Sequence, residues 1–468
     1  QINKISKMKN NSDSLNVSKS KISRRQALKA SAIFGSSILF LPNGILARGQ
    51  SPNEKLSVAF IGLGGQGKFQ LDNIGDKQKN LVNVVALCDV DDVRAGNAYK
   101  RFDKAQKFQD FRVMFDKLEN SIDAVTVSTP DHTHYHPVIR AIRAGKHVYC
   151  EKPLAHSVAE IRIITSEAAR MKVATQLGCQ RHAYRNMAQV VELIKSGAIG
   201  DVTEVHSWIG GDRGMPAKPD GIGEPPSTLS WENWLGPCPT DWKFMTTDNK
   251  STFVPYNWRF WWDFGTGETG NWSCHILDLP FWALDLKYPT KVSANGQEVD
   301  AERTPKAMEV IYDFPARGNS PALKLYWSHT KKPACFEKFN IKTPIKNKDK
   351  KDVNPNNLFV GTKGMIFAGF DRHALLPESE FNDFEYPKKT IPNSPGFHLE
   401  WINACKGGEP ATCNFSYSGL MAEAAILGNT AFKAGHKTFE WDAENLIAKN
   451  CPEVQNAIKP DFRKGWEY

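Results

Sequence analysis

The sequence predicts an α/β protein with a doubly wound parallel sheet in its N-terminal half and a large, mostly antiparallel open sheet in its C-terminal half. Two observations support this prediction. Short apolar runs alternate with helix-like segments over residues 56–178, a pattern typical of a parallel sheet covered by helices on both faces. From about residue 200, apolar strand-like runs follow one another without long intervening helices, which favours antiparallel pairing.

The strand and helix candidates can be placed in chain order. In the first half the strand candidates are 56–64, 82–90, 123–130, 147–153 and 173–178, with helix-like segments that include 134–144 and 156–171. In the second half they are 203–208, 290–294, 307–314, 322–330 and 357–369. Segment 210–262 is rich in loops, and 396–436 is helical again and expected to return to the first domain.

Composition and charge narrow the class of protein. The 468 residues are 41% hydrophobic and 24% charged, an ordinary globular composition for a chain of two or three domains. No apolar run approaches the roughly 20 residues of a membrane span, which excludes a polytopic membrane protein. Residues 1–50 carry nine basic side chains and one acid, most of the formal charge of +9. The near-neutral remainder lacks a broad basic surface, so we expect no nucleic-acid partner.

The first 50 residues have the order of an export signal. A polar, basic segment ends in the pair Arg24 and Arg25, and the apolar stretch 30–41 follows it, as in a signal peptide. The pair resembles a twin-arginine signal, although Ala27 stands at the position usually taken by Phe. We predict export by the twin-arginine route, to the periplasm or otherwise out of the cytoplasm, with membrane anchoring if the leader stays uncleaved.

The first strand candidate runs into a glycine-rich turn that predicts a dinucleotide site. The turn has the form G-x-G-x-x-G, it precedes a short helix, and Asp89 follows its last glycine by 22 residues. Such glycines allow the tight turn and the close approach of a pyrophosphate, and the acid accepts hydrogen bonds from the ribose. The carboxylate would repel a ribose phosphate, so we expect NAD rather than NADP. The predicted turn residues are Gly62, Gly64, Gly65, Gln66 and Gly67.

Further motifs extend this prediction to a family. The run Cys-Glu-Lys-Pro-Leu at 150–154, the run Thr-Pro-Asp-His-Thr-His at 129–134 and the segment 270–278, together with the glycine turn, resemble the Gfo/Idh/MocA oxidoreductases. This family includes glucose–fructose oxidoreductase and inositol dehydrogenase, and the resemblance covers roughly residues 55–445. It implies an N-terminal Rossmann domain and a C-terminal α/β domain whose open sheet carries substrate on one face and often oligomer contacts on the other. We therefore expect a leader (1–50), a Rossmann domain (51–180), a substrate and oligomerisation domain (181–445) and a tail (446–468).

The resemblance also implies roles for individual residues. Lys152 matches the motif lysine that holds the reacting hydroxyl beside the nicotinamide, and His275 matches the histidine of a D-x-x-x-H signature. Asn271 stands where the family has the aspartate of that signature, which is a departure from the family pattern. The predicted catalytic residues are Lys152, His275 and Asn271. Beyond the turn and Asp89, the predicted cofactor contacts are Thr129, Pro130, His134, Glu151 and Lys152. The predicted substrate residues are Arg181 and Asp278.

The chemistry of these side chains agrees with oxidation of a hydroxyl. An ammonium beside the oxygen favours alkoxide character, and an imidazole takes up the proton near neutral pH. The Trp-rich stretch 258–263 offers ring faces for a sugar, so Arg259 and Trp261 are further candidate substrate contacts, with packing in a core as the competing interpretation. The histidines at 132, 134 and 136 lack a carboxylate to complete a metal site, and the nine scattered cysteines show no Cys-x-x-Cys pair, so no metal site or disulfide framework is predicted.

Three functional hypotheses follow. The first is an NAD(P)-dependent oxidoreductase that acts on a sugar, polyol or glycoside hydroxyl with tightly bound NAD, a small-molecule carbohydrate as substrate and a homo-oligomer formed through the C-terminal sheet. The second is an NAD-dependent glycoside hydrolase that works by transient oxidation and elimination. The third is a non-catalytic sugar-binding protein of the same fold, which the Asn271 departure alone supports.

Overall fold

A parallel sheet forms the N-terminal part of the chain. The structure, a computed structural model, describes residues 54–330 and 333–467. The strands of this sheet are β1 (Leu56–Ile61), β2 (Val82–Cys88), β3 (Gln106–Phe108), β4 (Ala124–Val127), β5 (His147–Cys150) and β6 (Thr175–Leu177). Their order is β3-β2-β1-β4-β5-β6, with every pair parallel. This is the Rossmann order, which places a ligand crevice outside the carboxyl ends of β1 and β4. The prediction of a doubly wound parallel sheet is therefore confirmed.

Helices connect these strands. They are α1 (Gln66–Gln70, continued by a π-helical turn Leu71–Asp76), α2 (Asp92–Arg101), α3 (Phe111–Leu118), α4 (Tyr135–Arg143) and α5 (Val158–Met171). Helix α5 begins with a capping box, in which the Ser157 hydroxyl accepts from the backbone N–H of Glu160 and the Glu160 carboxylate accepts from the backbone N–H of Ser157. This reciprocal pair satisfies two of the N–H groups that a helix start leaves free.

A second, nine-stranded sheet forms the C-terminal part. Its strands are β7 (Val202–Ile209), β11 (Lys291–Gly296), β12 (Met308–Phe314), β13 (Leu323–His329), β14 (Asn357–Gly361), β15 (Gly364–Ala368), β16 (His373–Leu376), β17 (Thr438–Asp442) and β18 (Ile447–Lys449), in the order β16-β15-β14-β7-β13-β12-β11-β17-β18. All neighbours are antiparallel except β7 and β13, which confirms the mostly antiparallel sheet. The run 357–369, expected as one strand, is the hairpin β14–β15, because the chain turns at Thr362 and Lys363.

The segment expected to be rich in loops has structure of its own. Strands β8 (Gly221–Ile222), β9 (Met245–Thr247) and β10 (Lys250–Ser251) form a small antiparallel sheet beside α7 (Trp231–Leu235). Trp234, Phe253, Trp261 and Phe264 pack into a separate apolar cluster in this segment. The Trp-rich composition therefore builds a local core.

The remaining helices join the two sheets. They are α6 (Arg185–Lys195), α8 (Gly267–Ile276), α9 (Asp278–Leu284), α10 (Cys335–Lys338), α11 (Phe397–Cys405), α12 (Phe415–Lys433) and α13 (Pro452–Ile458). Helix α12 packs on α5 of the first part and on α8 of the second, and the N–H of Leu177 donates to the carbonyl of Cys413 at 3.0 Å. The expected return of 396–436 to the first domain is thus observed. Within the described ranges, the helices all fall short of the length and apolarity that crossing a membrane requires.

Candidate active site

A cleft of about 570 Å³ lies at the carboxyl ends of β1, β2, β4 and β5. The glycine turn and Asp89 form one side of it, and α8 with the segment around Tyr256 forms the other. Lys152 borders the same cleft. The crevice therefore occupies the position at which Rossmann sheets bind their ligands.

The glycine turn cannot accept larger side chains without losing its shape. Gly62 has φ +84°, and a Cβ there would lie 2.5 Å from the carbonyl oxygen of Ser128. A Cβ on Gly67 would lie 2.0 Å from the carbonyl oxygen of Gly62, so this residue permits the close contact of helix and strand. A Cβ on Gly64 would meet only the guanidinium of Arg94, at 2.3 Å. The turn thus exposes bare backbone to the cleft, which suits the pyrophosphate of a dinucleotide.

Asp89 is fixed in place beside this turn. One carboxylate oxygen accepts from the N–H of Leu63 at 2.7 Å and the other from the N–H of Asp91 at 3.0 Å. Burial raises the pKa of Asp89, and the two backbone hydrogen bonds and the nearby Arg94 act in the opposite direction. The carboxylate borders the cleft, so it can accept hydrogen bonds from ribose hydroxyls.

Glu151 lies beneath the cleft among amide side chains. It is 4% exposed and accepts from Gln180 at 3.0 Å and from Gln66 and Gln70. Burial raises the pKa of Glu151 to about 7, while the charge of Lys152 and the amide hydrogen bonds act against burial. Because three amides surround it, this carboxyl group holds the first helix and the loop after β6 in one arrangement.

A chain of polar contacts links Lys152 to Tyr256 through Asn271, Glu268 and Arg213. The Nζ of Lys152 donates to Oδ1 of Asn271 at 2.7 Å, and Nδ2 of Asn271 donates to Oε1 of Glu268 at 3.2 Å. Glu268 is buried and pairs with Arg213 at 2.6 Å, and Arg213 donates to the hydroxyl of Tyr256 at 2.7 Å. The carboxylate that the family signature would supply at position 271 is thus present one helical turn earlier, and it reaches the lysine only through the amide.

His275 lies one turn after Asn271 on α8 and borders the cleft. Its Nδ1 is buried and has no hydrogen-bond partner within residues 54–330 and 333–467. Burial, and after it the charges of Lys152 and Arg181, hold the pKa of His275 well below its usual range. The imidazole is therefore neutral at pH 7 and able to accept a proton.

The structure brings most of the predicted site residues together. Those that border the cleft are Gly62, Gly64, Gly65, Gln66, Asp89, Thr129, Pro130, Glu151, Lys152, Arg181, Arg259, Asn271 and His275. Gly67 lies just behind the turn, where it packs on Gly62.

Three predicted residues do not reach the cleft lining. His134 is 1% exposed and its ring nitrogens contact the carbonyl oxygens of Pro153 and Thr129 at 2.6 and 2.9 Å, so it supports the loops that carry cofactor residues. Asp278, expected beside the substrate, is fully buried against the ring of His182 and the hydroxyl of Tyr417, because α8 ends at Ile276 and Asp278 begins the separate helix α9. Trp261, expected as a sugar platform, is 1% exposed within its apolar cluster.

Sequence reasoning missed three cleft or support residues. Gln180 and Arg94 border the cleft, and Glu268 lies behind it. Gln180 adjoins the predicted Arg181, so its position after β6 was a usable signal. The partner of Glu268, Arg213, is 55 residues distant in the chain, so no local pattern identifies it.

Cysteines and histidines do not assemble a metal site in the part of the chain that the structure describes. No group of three or more His, Cys, Asp or Glu side chains with suitable geometry occurs there. All nine cysteines are buried and free.

The strand order and the glycine turn at the switch point define a dinucleotide-binding Rossmann protein. Residues 56–179 match the profile of the oxidoreductase family with an NAD-binding Rossmann fold, GFO_IDH_MocA. The family that the motifs predicted is thus the one whose profile matches residues 56–179, and its Rossmann fold binds NAD.

Relatives in sequence carry dehydrogenase names. An inositol 2-dehydrogenase of Rubrobacter xylanophilus is 31% identical over 163 residues, which are 34% of this chain and 45% of the relative. An inositol 2-dehydrogenase of Gluconacetobacter diazotrophicus is 34% identical over 155 residues, 31% of this chain and 44% of the relative. The chain spans less than half the length of these relatives.

Solved structures share the fold over most of the chain. The WlbA dehydrogenase of Bordetella pertussis, in complex with NADH and UDP-GlcNAcA, has a TM-score of 0.56 at 16% identity, with 83% of this chain and 99% of that chain covered. A levoglucosan dehydrogenase in complex with NADH and levoglucosan has a TM-score of 0.53 at 17% identity, with the same coverage. At this identity the likeness establishes the α/β fold with its two sheets.

Proposed function

We propose that this protein is an NAD-dependent oxidoreductase that transfers hydride from a hydroxyl-bearing carbon of a sugar, polyol or glycoside, with NAD tightly bound. The observation that carries the proposal is the position of Lys152, whose ammonium borders the same cleft as the glycine turn and is oriented by Asn271 at 2.7 Å, with His275 one turn further along the helix. The names of the inositol 2-dehydrogenase relatives and of the levoglucosan dehydrogenase support this substrate class.

The residues of the chain have separate tasks in this proposal. Bound NAD supplies the hydride acceptor. The glycine turn and Asp89 would hold the pyrophosphate and the ribose, and Lys152 lines the same cleft. The Lys152 ammonium donates a hydrogen bond to the reacting hydroxyl oxygen and stabilises the negative charge that develops on it. Neutral His275 accepts the hydroxyl proton.

The residues fit the cofactor. Bare backbone at Gly62 and Gly64 leaves room where a Cβ would collide, and the acid at the end of β2 is anchored to the turn by the N–H of Leu63, which suits a carboxylate that accepts from a ribose. Arg94, whose guanidinium lies beside Gly64, is placed to contact the phosphates. These features favour a nucleotide over a structural turn.

One experiment tests the proposal against its alternatives. The protein is purified, its retained nucleotide is released and measured, and sugars, polyols and glycosides are added without external NAD. Reduced cofactor that accumulates and is discharged by a second sugar supports the oxidoreductase. Release of aglycone without net reduction supports the NAD-dependent hydrolase, and the absence of both nucleotide and turnover supports a binding protein.

We also propose export and self-association. The twin-arginine leader over 1–50 lies outside the described residues, and its support is the order of charge and hydrophobicity alone; loss of export on changing Arg24 and Arg25 to Lys tests it. A homo-oligomer through the C-terminal sheet draws support from Ile311 and Tyr326, half-buried cross-strand neighbours on β12 and β13. Light scattering after size-exclusion chromatography, repeated with Ile311→Lys, tests this interface.

A further inference from the structure

Arg181 occupies an unusual position on the substrate side of the cleft. It follows β6 in a short turn, and its guanidinium contacts the ring of Trp272, at 4.9 Å from the centroid, and the ring of Phe370, at 4.2 Å. Rings that contact a guanidinium in this way leave its N–H groups free to donate hydrogen bonds. The Nη1 atom is buried and has no hydrogen-bond partner within the described ranges.

Several partly buried arginines of this chain are paired with carboxylates. Arg162 binds Glu423 at 2.8 Å, Arg303 binds Asp300 at 2.7 Å and Arg213 binds Glu268 at 2.6 Å. Two others that lack an ion pair, Arg259 and Arg317, donate to backbone carbonyls. Arg181 has neither kind of partner within 54–330 and 333–467, and its Nη1 is the arginine nitrogen that is buried there without an acceptor. Leaving a cationic donor buried and unpaired is costly, so this difference indicates that an anionic acceptor belongs to a ligand.

Other cationic side chains lie at the same cleft as Arg181. Lys152 is bound by a neutral amide and not by a carboxylate. The charges that act on His275 are those of Lys152 and Arg181. Arg259, also at the cleft, rests on the rings of Tyr256 and Trp258 and donates to a backbone carbonyl. The carboxylates of Asp131 and Glu268 act on Arg259, whereas both charges that act on His275 are positive, so the part of the cleft beside His275 favours an anion.

We propose that Arg181 binds a carboxylate of the substrate, so that the substrate is an acidic sugar: a uronic acid or a glycoside of one. This inference rests on the proposed function and narrows its substrate class. The flat guanidinium edge matches a planar carboxylate, with two parallel N–H···O bonds available. A carboxylate there also offsets the positive charge that depresses proton uptake by His275, so the substrate itself makes the imidazole a better base.

Matched pairs of ligands test the carboxylate directly. Binding of methyl β-D-glucuronide, methyl α-D-galacturonide and methyl α-D-mannuronide to the protein with bound NAD is compared by calorimetry with that of the neutral methyl glycosides of the same configuration. In at least one pair we expect the acid to bind about 30-fold more tightly than the neutral partner, as a charge-assisted pair implies. Equal binding in all three pairs, or tighter binding of glucose 6-phosphate than of every uronide, overturns the proposal.

Substitutions at position 181 separate the charge from the packing. Arg181→Gln should abolish the preference for the acid and change the affinity for the neutral glycoside less than about threefold, and Arg181→Lys should keep part of the preference. Arg170→Gln, at an exposed arginine paired with Glu167 on α5, is the matched control and should behave as wild type. If Arg181→Gln weakens the acid and the neutral sugar equally, the residue is only a stacking platform and the proposal fails.

The result is independent of the proposed redox reaction. Reduction of bound cofactor by neutral sugars alone would leave the proposed function standing and overturn the carboxylate subsite. Selective binding of a uronide without any reduction of cofactor would support the subsite and remove the oxidoreductase. The wild-type comparison needs no variant, so a misfolded Arg181→Gln protein does not leave the question open.

Discussion

The Nζ of Lys152 lies 2.7 Å from Oδ1 of Asn271, so a neutral amide holds the ammonium at the centre of the candidate site. The amide orients the lysine without neutralising it. The buried carboxylate of Glu268 orients the amide in turn, at 3.2 Å, and is itself paired with Arg213. Lys152 therefore keeps its full charge for the reacting oxygen, while the carboxylate that fixes the geometry is committed to another cation.

Lys152→Ala removes the group that we place on the reacting hydroxyl. We expect turnover to fall by about 10²–10⁴-fold, because the developing oxygen charge loses its hydrogen-bond donor. The nucleotide should remain, since the turn and Asp89 hold it on the other side of the cleft. Steady-state rates together with the nucleotide released on denaturation check both parts. Wild-type turnover in this variant would remove Lys152 from the mechanism.

Asn271→Asp restores a carboxylate at the position where the family signature has one. The new charge would lie beside Lys152 and one turn from His275, so it should raise the pKa of His275. The acid limb of the pH profile for kcat is expected to move to higher pH, because His275 must be neutral to take up the proton. The pH dependence of kcat in the variant and the wild type measures this shift.

A matched substitution locates the effect. Glu268→Gln keeps a side-chain oxygen that accepts from Asn271. It removes a negative charge that contacts Lys152 only through Asn271. The acid limb of its pH profile should therefore lie nearer the wild-type position than that of Asn271→Asp. An acid limb that stays at the same pH in Asn271→Asp would show that His275 does not set it, and proton uptake would then have to be assigned to Lys152.

Substitution of two glycines of the turn should affect different properties of the protein, its stability for Gly67 and its nucleotide retention for Gly64. In Gly67→Ala the new Cβ meets a backbone oxygen at 2.0 Å and the helix must shift. The melting temperature of nucleotide-free protein should therefore fall, by about 1 °C per kcal/mol lost for a chain of this length. In Gly64→Ala the Cβ meets only the flexible end of Arg94, so the fold should persist while nucleotide retention falls. Thermal melts and nucleotide content per chain distinguish the two.

Gly96→Ala is the control for these variants. A Cβ at this position on α2 has nothing within 4 Å, and alanine favours a helix over glycine. The variant should retain nucleotide and melt at or slightly above the wild-type temperature. Retention of full nucleotide by Gly64→Ala would contradict the cradle that we assign to the turn.

The features that could be predicted from the sequence are those encoded by residues close together in the chain. The apolar runs of β1 and β4 were recognisable because parallel strands are buried on both faces, and the turn with Asp89 because a dinucleotide requires that spacing. Trp261 could not be assigned, because a ring suits a sugar and a core equally well. The contact of Asp278 with His182 was not foreseen, because Asp278 begins a helix separate from that of His275 and the two sequence positions share no helix face. Glu268 was missed because it pairs with Arg213, a residue distant in the sequence that the fold brings into contact with it.

Buried histidines predict that acid destabilises the fold. Burial lowers the pKa of His132 to about 3 and those of His136, His373 and His398 to about 4. Below pH 6.5 these histidines become protonated in the unfolded chain but stay neutral in the folded protein. The free energy of unfolding therefore decreases as the pH falls. The loss begins near pH 6.5 and continues to about pH 4, and each such histidine contributes about 1.4 kcal/mol per pH unit at most.

Two carboxyl groups act in the opposite direction over part of this range. Burial raises the pKa of Glu151 and of Glu160 to about 7, so between pH 7 and 4.5 the folded chain holds protons that the unfolded chain releases, and acid favours folding through them. The pKa of Asp89 and of Glu423 is raised as well, but the described histidines with a lowered pKa outnumber the carboxyl groups with a raised one, and the histidine effect extends below pH 4.5. Urea unfolding at pH 7.5, 6.0 and 4.5 should therefore show a steady loss of stability, reduced in His398→Gln. A stability maximum at pH 5 would show that the carboxyl groups dominate.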